Sequence, residues 1–409
     1  MIAFTKDVRL VVGNLRRNVR RTVVAAGTVA AGIVAYLVAG GFIAWIFQDM
    51  REATIHSQLG HAQVVRPGFH EKGIADPYAF LLPATGREEA LLTAMPGVVA
   101  LTPRLVLSGL ISHGETTVAF AGEGIDPVRE KPISSRIRLL AGNDLDSGEA
   151  RSVLLGEGLA ASLGAKPGDT VVLLATTASG SASALELTVA GVFATVAKEY
   201  DDSAIRLPIA MARKLMRVDG ATSWVVLLDD TGRTPAFVDG ARAQLAAGGF
   251  EIVPWTELAD FYNKTVVLFS KQVTVMKVII GLIIILTISN TLTMSVMERT
   301  AEIGTSLALG VPGSTVMRLF VAEAALIGVL GGVVGVVVGY LLASLISAIG
   351  IPMPPPPGMA HGYMAEILVA PGLAADAFLL ALVTTLIAGA FPAWKAGRMN
   401  IVDALRYGQ

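Results

Sequence analysis

Residues Met294 to Gly310 read M-S-V-M-E-R-T-A-E-I-G-T-S-L-A-L-G and lie between two long apolar segments. The apolar run ends at Met297, and Glu298, Arg299 and Glu302 follow it directly. Such a junction is a peptide leaving a hydrocarbon layer for water. Acidic groups in a first helical turn suit the helix dipole. Ile303 and Leu307 stand four apart on one helical face, and Gly310 with Pro312 supplies the usual stop. The spacing predicts a short amphipathic helix at the membrane surface within residues 298–313, either a plain connector or a docking element.

Composition agrees with a membrane protein. Of 409 residues, 53% are hydrophobic and only 16% are charged, too apolar for a soluble chain of this length. The excess is concentrated, and residues 49–269 have an ordinary globular composition, so a soluble domain is inserted in a membrane protein. The absence of cysteine excludes disulfides, thiolate metal sites, a cysteine nucleophile and a lipid-modified cysteine in this chain.

Residues 1–21 carry Lys6, Arg9, Arg16, Arg17, Arg20 and Arg21 against the single acid Asp7, with apolar residues at helical spacing, which predicts an amphipathic helix on the cytoplasmic face. A first span over 22–48 contains an uncharged stretch from Val23 to Phe47. That is too long for the core of a signal peptide. The preceding basic residues put the N-terminus inside by the positive-inside rule, and residues 49–269 outside. This region reads as α+β, a split subdomain over 49–124 and 208–269 with an inserted one over 125–207. Thr85-Gly86-Arg87-Glu88 has the form of a capping box. Strands are expected at Val98 to Leu110, Thr116 to Glu123, Val153 to Leu155, Thr170 to Ala175, Leu185 to Val196 and Thr222 to Leu228, and helices at Ile209 to Met216 and Pro235 to Ala246.

The second span, 273–297, is interrupted only by Lys277, expected to snorkel outward. Ser314 is placed to cap the third, 314–349, in which Gly331, Gly335 and Gly339 recur every fourth residue beside Gly328 and Gly332. Such a face admits another helix backbone, within the chain or across a dimer. Residues 350–373 hold Pro354 to Pro357 and no Lys or Arg, as an outer loop should. A fourth span over 374–394 and a tail over 395–409 with Lys395, Arg398 and Arg406 return the chain to the cytoplasm. The fold class expected is membrane α-helical, four transmembrane helices with a large α+β periplasmic domain inserted between helices 1 and 2.

Enzymatic signatures fail one by one. Gly156-Glu157-Gly158-Leu159-Ala160-Ala161 imitates a dinucleotide fingerprint, but no acid follows at the ribose distance, so a tight strand-to-helix turn is the better reading. No Walker A occurs, and even Gly-Lys is missing. No G-x-S-x-G or H-E-x-x-H occurs, and His56, His61, His70, His113 and His361 lack metal-ligand spacing. No catalytic residue, no metal and no nucleic-acid partner is expected. Glu199, Asp201 and Asp202 read as a solvated turn, and Ser289, Asn290 and Thr291 as intramembrane polar groups for interhelical bonding or cargo contact.

Glu298-Arg299-Thr300-Ala301-Glu302-Ile303-Gly304 with Ala308-Leu309-Gly310, then Phe320-Val321-Ala322-Glu323-Ala324, then Pro392 to Arg398 with Asp403 to Arg406, resemble the segments of FtsX-like ABC transporter permeases of the lipoprotein-releasing and macrolide-exporter type. Leu154 to Ala160 and Pro167-Gly168-Asp169 resemble that family's MacB-like periplasmic domain. Thr305-Ser306 and Asn400-Ile401 depart from its usual residues. The resemblance implies a bacterial inner-membrane permease with no cofactor of its own. Its coupling helix, with Glu298, Arg299, Glu302, Ile303, Gly304, Leu307, Leu309 and Gly310, would dock on a separate cytoplasmic ABC ATPase dimer that holds ATP and Mg. It further implies a second permease copy or a paralogue, a periplasmic carrier or adaptor, and a lateral opening to the bilayer near Phe42, Trp45, Phe47, Phe261 and Phe269. Two functions follow from it: extrusion of a lipoprotein or other lipidated, amphiphilic cargo, or activation of a periplasmic cell-wall hydrolase without transport.

Overall fold

In hydrocarbon every backbone N–H and C=O needs an internal partner, and a helix supplies all of them within one segment. The computed structural model describes residues 13, 17, 19–73, 75–146, 150–195, 197–245, 248–354, 362–401 and 404. Most of the expected N-terminal amphipathic helix, Pro355 to Pro357, His361, Asp403 and Arg406 lie outside the described residues. Among the described residues, four helices are long and apolar enough to cross a membrane. They are α1 (Val19–Thr54), α6 (Asp260–Glu298), α8 (Gly313–Ile349) and α9 (Pro371–Gly397). At 36 residues α1 is about 54 Å long, well beyond the ~30 Å of a hydrocarbon core. Helix α6 starts earlier than the span expected at 273, because residues 260–272 contain neither Gly nor Pro to stop it.

The chain divides into a helical unit, from the described residues of 1–47, 265–352 and 364–409, and a soluble unit, from those of 48–264 and 353–363. In the helical unit the glycines of α8 face two neighbours. A Cβ on Gly335 would lie 2.7 Å from Ile33 Cβ and 3.0 Å from the Ala30 carbonyl of α1, with Gly331 equally close to Val29 and Gly339 to Leu37. On the adjacent face Gly328 abuts Thr385, and Gly332 abuts Phe378 and Ala381, of α9. The glycine stripe therefore serves packing within the chain. Ala25, Val29, Ile33, Ile284, Ile288, Ala324, Ile327, Ala377 and Ala381 fill the core between the helices.

The soluble unit is built on α2 (Arg87–Thr93), α3 (Glu157–Leu163), α4 (Ile209–Met216) and α5 (Thr234–Leu245). Among the described residues its main sheet has ten strands, β1 (Ala62–Val65), β2 (Val98–His113), β3 (Thr116–Ile125), β4 (Arg138–Gly142), β5 (Ser152–Gly156), β6 (Thr170–Thr176), β7 (Ala182–Ala194), β8 (Ala204–Pro208), β9 (Ser223–Leu228) and β10 (Glu251–Pro254). Pairing runs β2–β3–β8–β5–β7–β6 and returns from β6 to β2. That circuit is a closed six-stranded barrel, which leaves those strands without a free edge. Leu105, Leu107, Ile111, Phe120, Val171, Leu173, Leu187 and Ile205 fill it, and α3 and α4 contribute Leu159 and Leu215.

Strand β2 is long enough to belong to two layers. Its first half joins β9, β1 and β10, and that sheet shares a core with Leu92 of α2 and with Phe237, Val238 and Ala241 of α5. Gly156 and Gly158, the imitation fingerprint, sit where the Asp201-Asp202 backbone and side chains press in, leaving no room for a Cβ. They make the expected turn.

Two helix starts differ from expectation. The N-cap before α2 is Gly86, with no side-chain cap bond, so Thr85 does not form a capping box. Helix α8 begins at Gly313 after Pro312. Ser314 then falls inside the first turn, past the position from which a hydroxyl caps, while Gly313 lets the backbone meet Gly397.

Replacing Gly335 by Leu should lower stability by about 1–3 kcal/mol, since the side chain must displace α1. The check is a lower melting temperature in detergent, with Gly27→Leu, where no atom lies within 4 Å of the added Cβ, as the control that melts normally.

Candidate functional site

Helix α6 ends at Glu298, and Arg299, at φ −99° and ψ 11°, turns the chain into α7 (Thr300–Ala308). The Thr300 hydroxyl donates to the Met297 carbonyl at 2.8 Å. Helix α7 closes in a Schellman arrangement: Gly310 N–H donates to Leu307 O at 3.0 Å and Val311 N–H to Ser306 O at 3.1 Å, with Gly310 at φ 88°. Its inner face sets Ile303 and Leu307 among Val296, Val316, Phe320, Ala393 and Ala396. A Cβ on Gly304 would lie 2.6 Å from Ala404 Cβ.

This arrangement re-sorts the residues expected on a docking face. Arg299, Ile303 and Gly304 point into the chain. The Arg299 guanidinium lies 3.5 Å from the Glu323 carboxylate, and both are buried. Their family-like spacing reflects internal packing, because a helix lying on three others must bury one face. Glu298 takes a two-pronged contact from Arg21, both bonds 2.6 Å. Glu302 accepts from Arg17 Nη2 alone, which reaches both carboxylate oxygens at 2.7 and 3.0 Å. Both pairs lie at the surface, where solvent screening leaves them little weight in stability; what they fix is orientation. Glu302 and Thr305 are exposed along the helix, and the turn that follows is apolar: Ala308, Leu309, Gly310, Val311 and Pro312 are exposed, Leu309 to 81%.

A second polar site joins three of the membrane helices. Lys277 of α6 is paired. Its Nζ lies 2.5 and 2.7 Å from the Asp376 carboxylate oxygens of α9, and the Tyr36 hydroxyl of α1 donates to Asp376 Oδ2 at 2.6 Å. Sequence reading missed Asp376, six residues into an apolar helix, although an acid in a span is itself a signal that a partner exists.

Of the aromatic residues expected near cargo, Phe47 and Phe269 meet edge to face with centroids 6.3 Å apart. Phe42 and Trp45 are half-buried on α1. Phe261 is exposed and, with Met50, Thr54, Leu59, Leu258 and Tyr262, lines an apolar cavity of about 340 Å³ in the soluble unit. Among the described residues no group of three or more His, Asp or Glu is placed to hold a metal. Asp201 is buried rather than solvated, accepting from Thr195 N–H at 2.9 Å and Thr195 Oγ1 at 2.8 Å. Burial holds its carboxyl above the usual range against those two bonds.

Residues 22–244 match the MacB-like periplasmic core domain family and residues 274–401 the FtsX-like permease C-terminal family. The chain belongs to this family, and it is an ABC transporter permease of the FtsX-like type. Among its relatives is the lipoprotein-releasing system transmembrane protein LolC of Xylella fastidiosa, 29% identical over 346 residues, which cover 78% of this chain and 80% of the relative. LolC of Neisseria meningitidis serogroup B is 27% identical over 244 residues, 58% of this chain and 59% of that one. The macrolide export ATP-binding/permease protein MacB of Salmonella choleraesuis is 33% identical over 147 residues, 36% of this chain and 20% of that one.

The Lys277–Asp376 pair should behave as a unit. Lys277→Met leaves an acid unpaired among apolar helices and should cost about 1–3 kcal/mol, less than a fully buried pair because both groups are partly exposed. Exchanging the charges, Lys277→Asp with Asp376→Lys, should restore more than half of the lost melting temperature.

Proposed function

We propose that this permease couples ATP hydrolysis by a separate cytoplasmic ATPase dimer to movement of its soluble domain, and so extrudes a lipoprotein or other lipidated, amphiphilic molecule from the outer leaflet of the bacterial inner membrane. In this reading the soluble unit is periplasmic, α7 and both chain ends are cytoplasmic, and a second copy or a paralogue completes the permease. The excess of basic residues before the first span supports that orientation. The observation that carries the coupling reading is the apolar tip at Leu309. Leu309 stands out from five consecutive exposed apolar residues, 308–312, and a contiguous apolar patch is the kind of surface that a partner covers. It stands on a nine-residue helix pinned by the Arg17 and Arg21 contacts and by the packing of Ile303. A push on such a tip reaches three membrane helices.

Leu309→Asp should leave folding intact and lower cargo-stimulated hydrolysis by the reconstituted complex at least about tenfold, as loss of an anchor residue does. Unchanged hydrolysis would remove α7 from the docking role.

The relatives named lipoprotein-releasing support the cargo class, and the Phe47–Phe269 contact offers an apolar surface suited to acyl chains. A photo-crosslinker at Phe47 or Phe269 should capture lipidated cargo without nucleotide and lose it when the ATPase is locked with ATP. Equal capture at Leu379, exposed on α9, would reduce these rings to membrane anchors.

A further inference from the structure

Helix α1 ends in the soluble unit through a π-turn, Ile55–Leu59, in which Gly60 N–H donates to Ile55 O at 3.0 Å. A helix end leaves four carbonyls without partners inside the helix. Here each finds one in the soluble unit. His56 O accepts from Arg136 N–H at 3.1 Å, Ser57 O from Arg206 Nη2 at 2.9 Å, Gln58 O from Arg104 Nη1, and Leu59 O from Gln63 Nε2 at 3.4 Å. The two guanidinium groups come from the barrel wall, Arg104 on β2 and Arg206 on β8, and both are 2% exposed.

Two acids hold the arginines in turn. Arg104 makes a forked contact with Glu130, Nη2 at 2.5 Å and Nε at 3.4 Å. Arg206 Nη2 lies 3.2 Å from Glu123, its register partner across β3 and β8. Arg206 Nη1 donates to Ser134 Oγ at 2.7 Å, and Ser134 donates to Glu130 at 3.1 Å. Burial alone would raise Glu123, but Arg104 and Arg206 outweigh it and keep it below the usual carboxylate range.

The cluster thus holds two positive and two negative side chains in or against the domain core. Stability alone is a weak reason for it, since apolar residues of similar volume commonly do as well or better than buried ion pairs. What an apolar core lacks is direction. Two planar guanidinium groups, each with one N–H on one of two consecutive carbonyls and its other donors on Glu130, or on Glu123 and Ser134, resist both sliding and rotation of the helix end. Helix α1 runs without a break from Val19 to Thr54, so displacement along it arrives at this grip.

We infer that Arg104 and Arg206 are positioning residues of the transport cycle, a clamp that makes the end of the first membrane helix and the barrel move as one body. The inference rests on the ATP-driven permease reading above.

The chain has no cysteine, so two can be introduced cleanly, at exposed Gln48 of α1 and exposed Thr117 of β3, and spin-labelled in the full complex with its ATPase. Pulsed electron paramagnetic resonance should give one narrow distance, the same without nucleotide and with trapped ATP. Arg104→Lys and Arg206→Lys keep the charge and lose the fork. Each should broaden that distance and abolish cargo stimulation while basal hydrolysis stays within about twofold. Should either fail to fold, the nucleotide comparison on the otherwise wild-type chain still decides. A distance that shifts with ATP in a hydrolysing complex would overturn the clamp alone, as would Lys variants matching wild type in distance and stimulation. A wild-type chain that supports no hydrolysis with any ATPase partner would overturn the permease reading and the clamp with it.

Discussion

The requirement that no backbone polar group go unpaired in hydrocarbon governs this molecule. It turns each long apolar run into a helix, and it turns helix association into a matter of backbone proximity, since lipid competes equally well for apolar side chains. The glycines of α8 answer that second demand: Gly331, Gly335 and Gly339 meet α1 and Gly328 meets α9 at distances that exclude a Cβ, and Gly332 meets α9 with little room to spare. Polar side chains within the spans follow the same rule, and Lys277, Asp376 and Tyr36 satisfy one another across three helices.

On the short helix α7 charge and apolar surface are divided between different positions. Its acid Glu302 does not project freely, nor does Glu298 at the end of α6, for they are held by Arg17 and Arg21. Screened surface pairs of this kind contribute little energy but set geometry. With the inner face committed to Val296, Val316 and Phe320, the part left for a partner is the turn at Leu309 to Val311. A docking contact made through an apolar tip differs from one made through charges: it depends on shape and on burial, and it is less sensitive to salt.

In the soluble unit, closure of six strands into a barrel removes the edges that an inserted domain would otherwise expose. Strand β2 ties that barrel to the second sheet, because its two halves pair with different neighbours. The same strand carries Arg104 to the end of α1.

Much of this was determined by the sequence itself. Four uncharged runs specify four helices, because periodicity and length are local properties. The short apolar run at Thr170 to Ala175, rich in Val and Leu, and the Pro167-Gly168 turn specify a strand and its start for the same reason. The boundaries of β2, β3, β5 and α4 lie within a few residues of where those patterns put them. What only the tertiary structure decided are pairings between residues far apart in the chain: Lys277 with Asp376, Glu302 with Arg17, and Arg206 with the carbonyl of Ser57. The barrel closes through β6 meeting β2 some sixty residues earlier. Which of Arg299, Ile303, Gly304 and Leu309 faces inward is fixed by helices that arrive later in the chain, α8 and α9. Local chemistry dictates what a segment can form. Burial, which selects the face and the partner, belongs to the assembled fold.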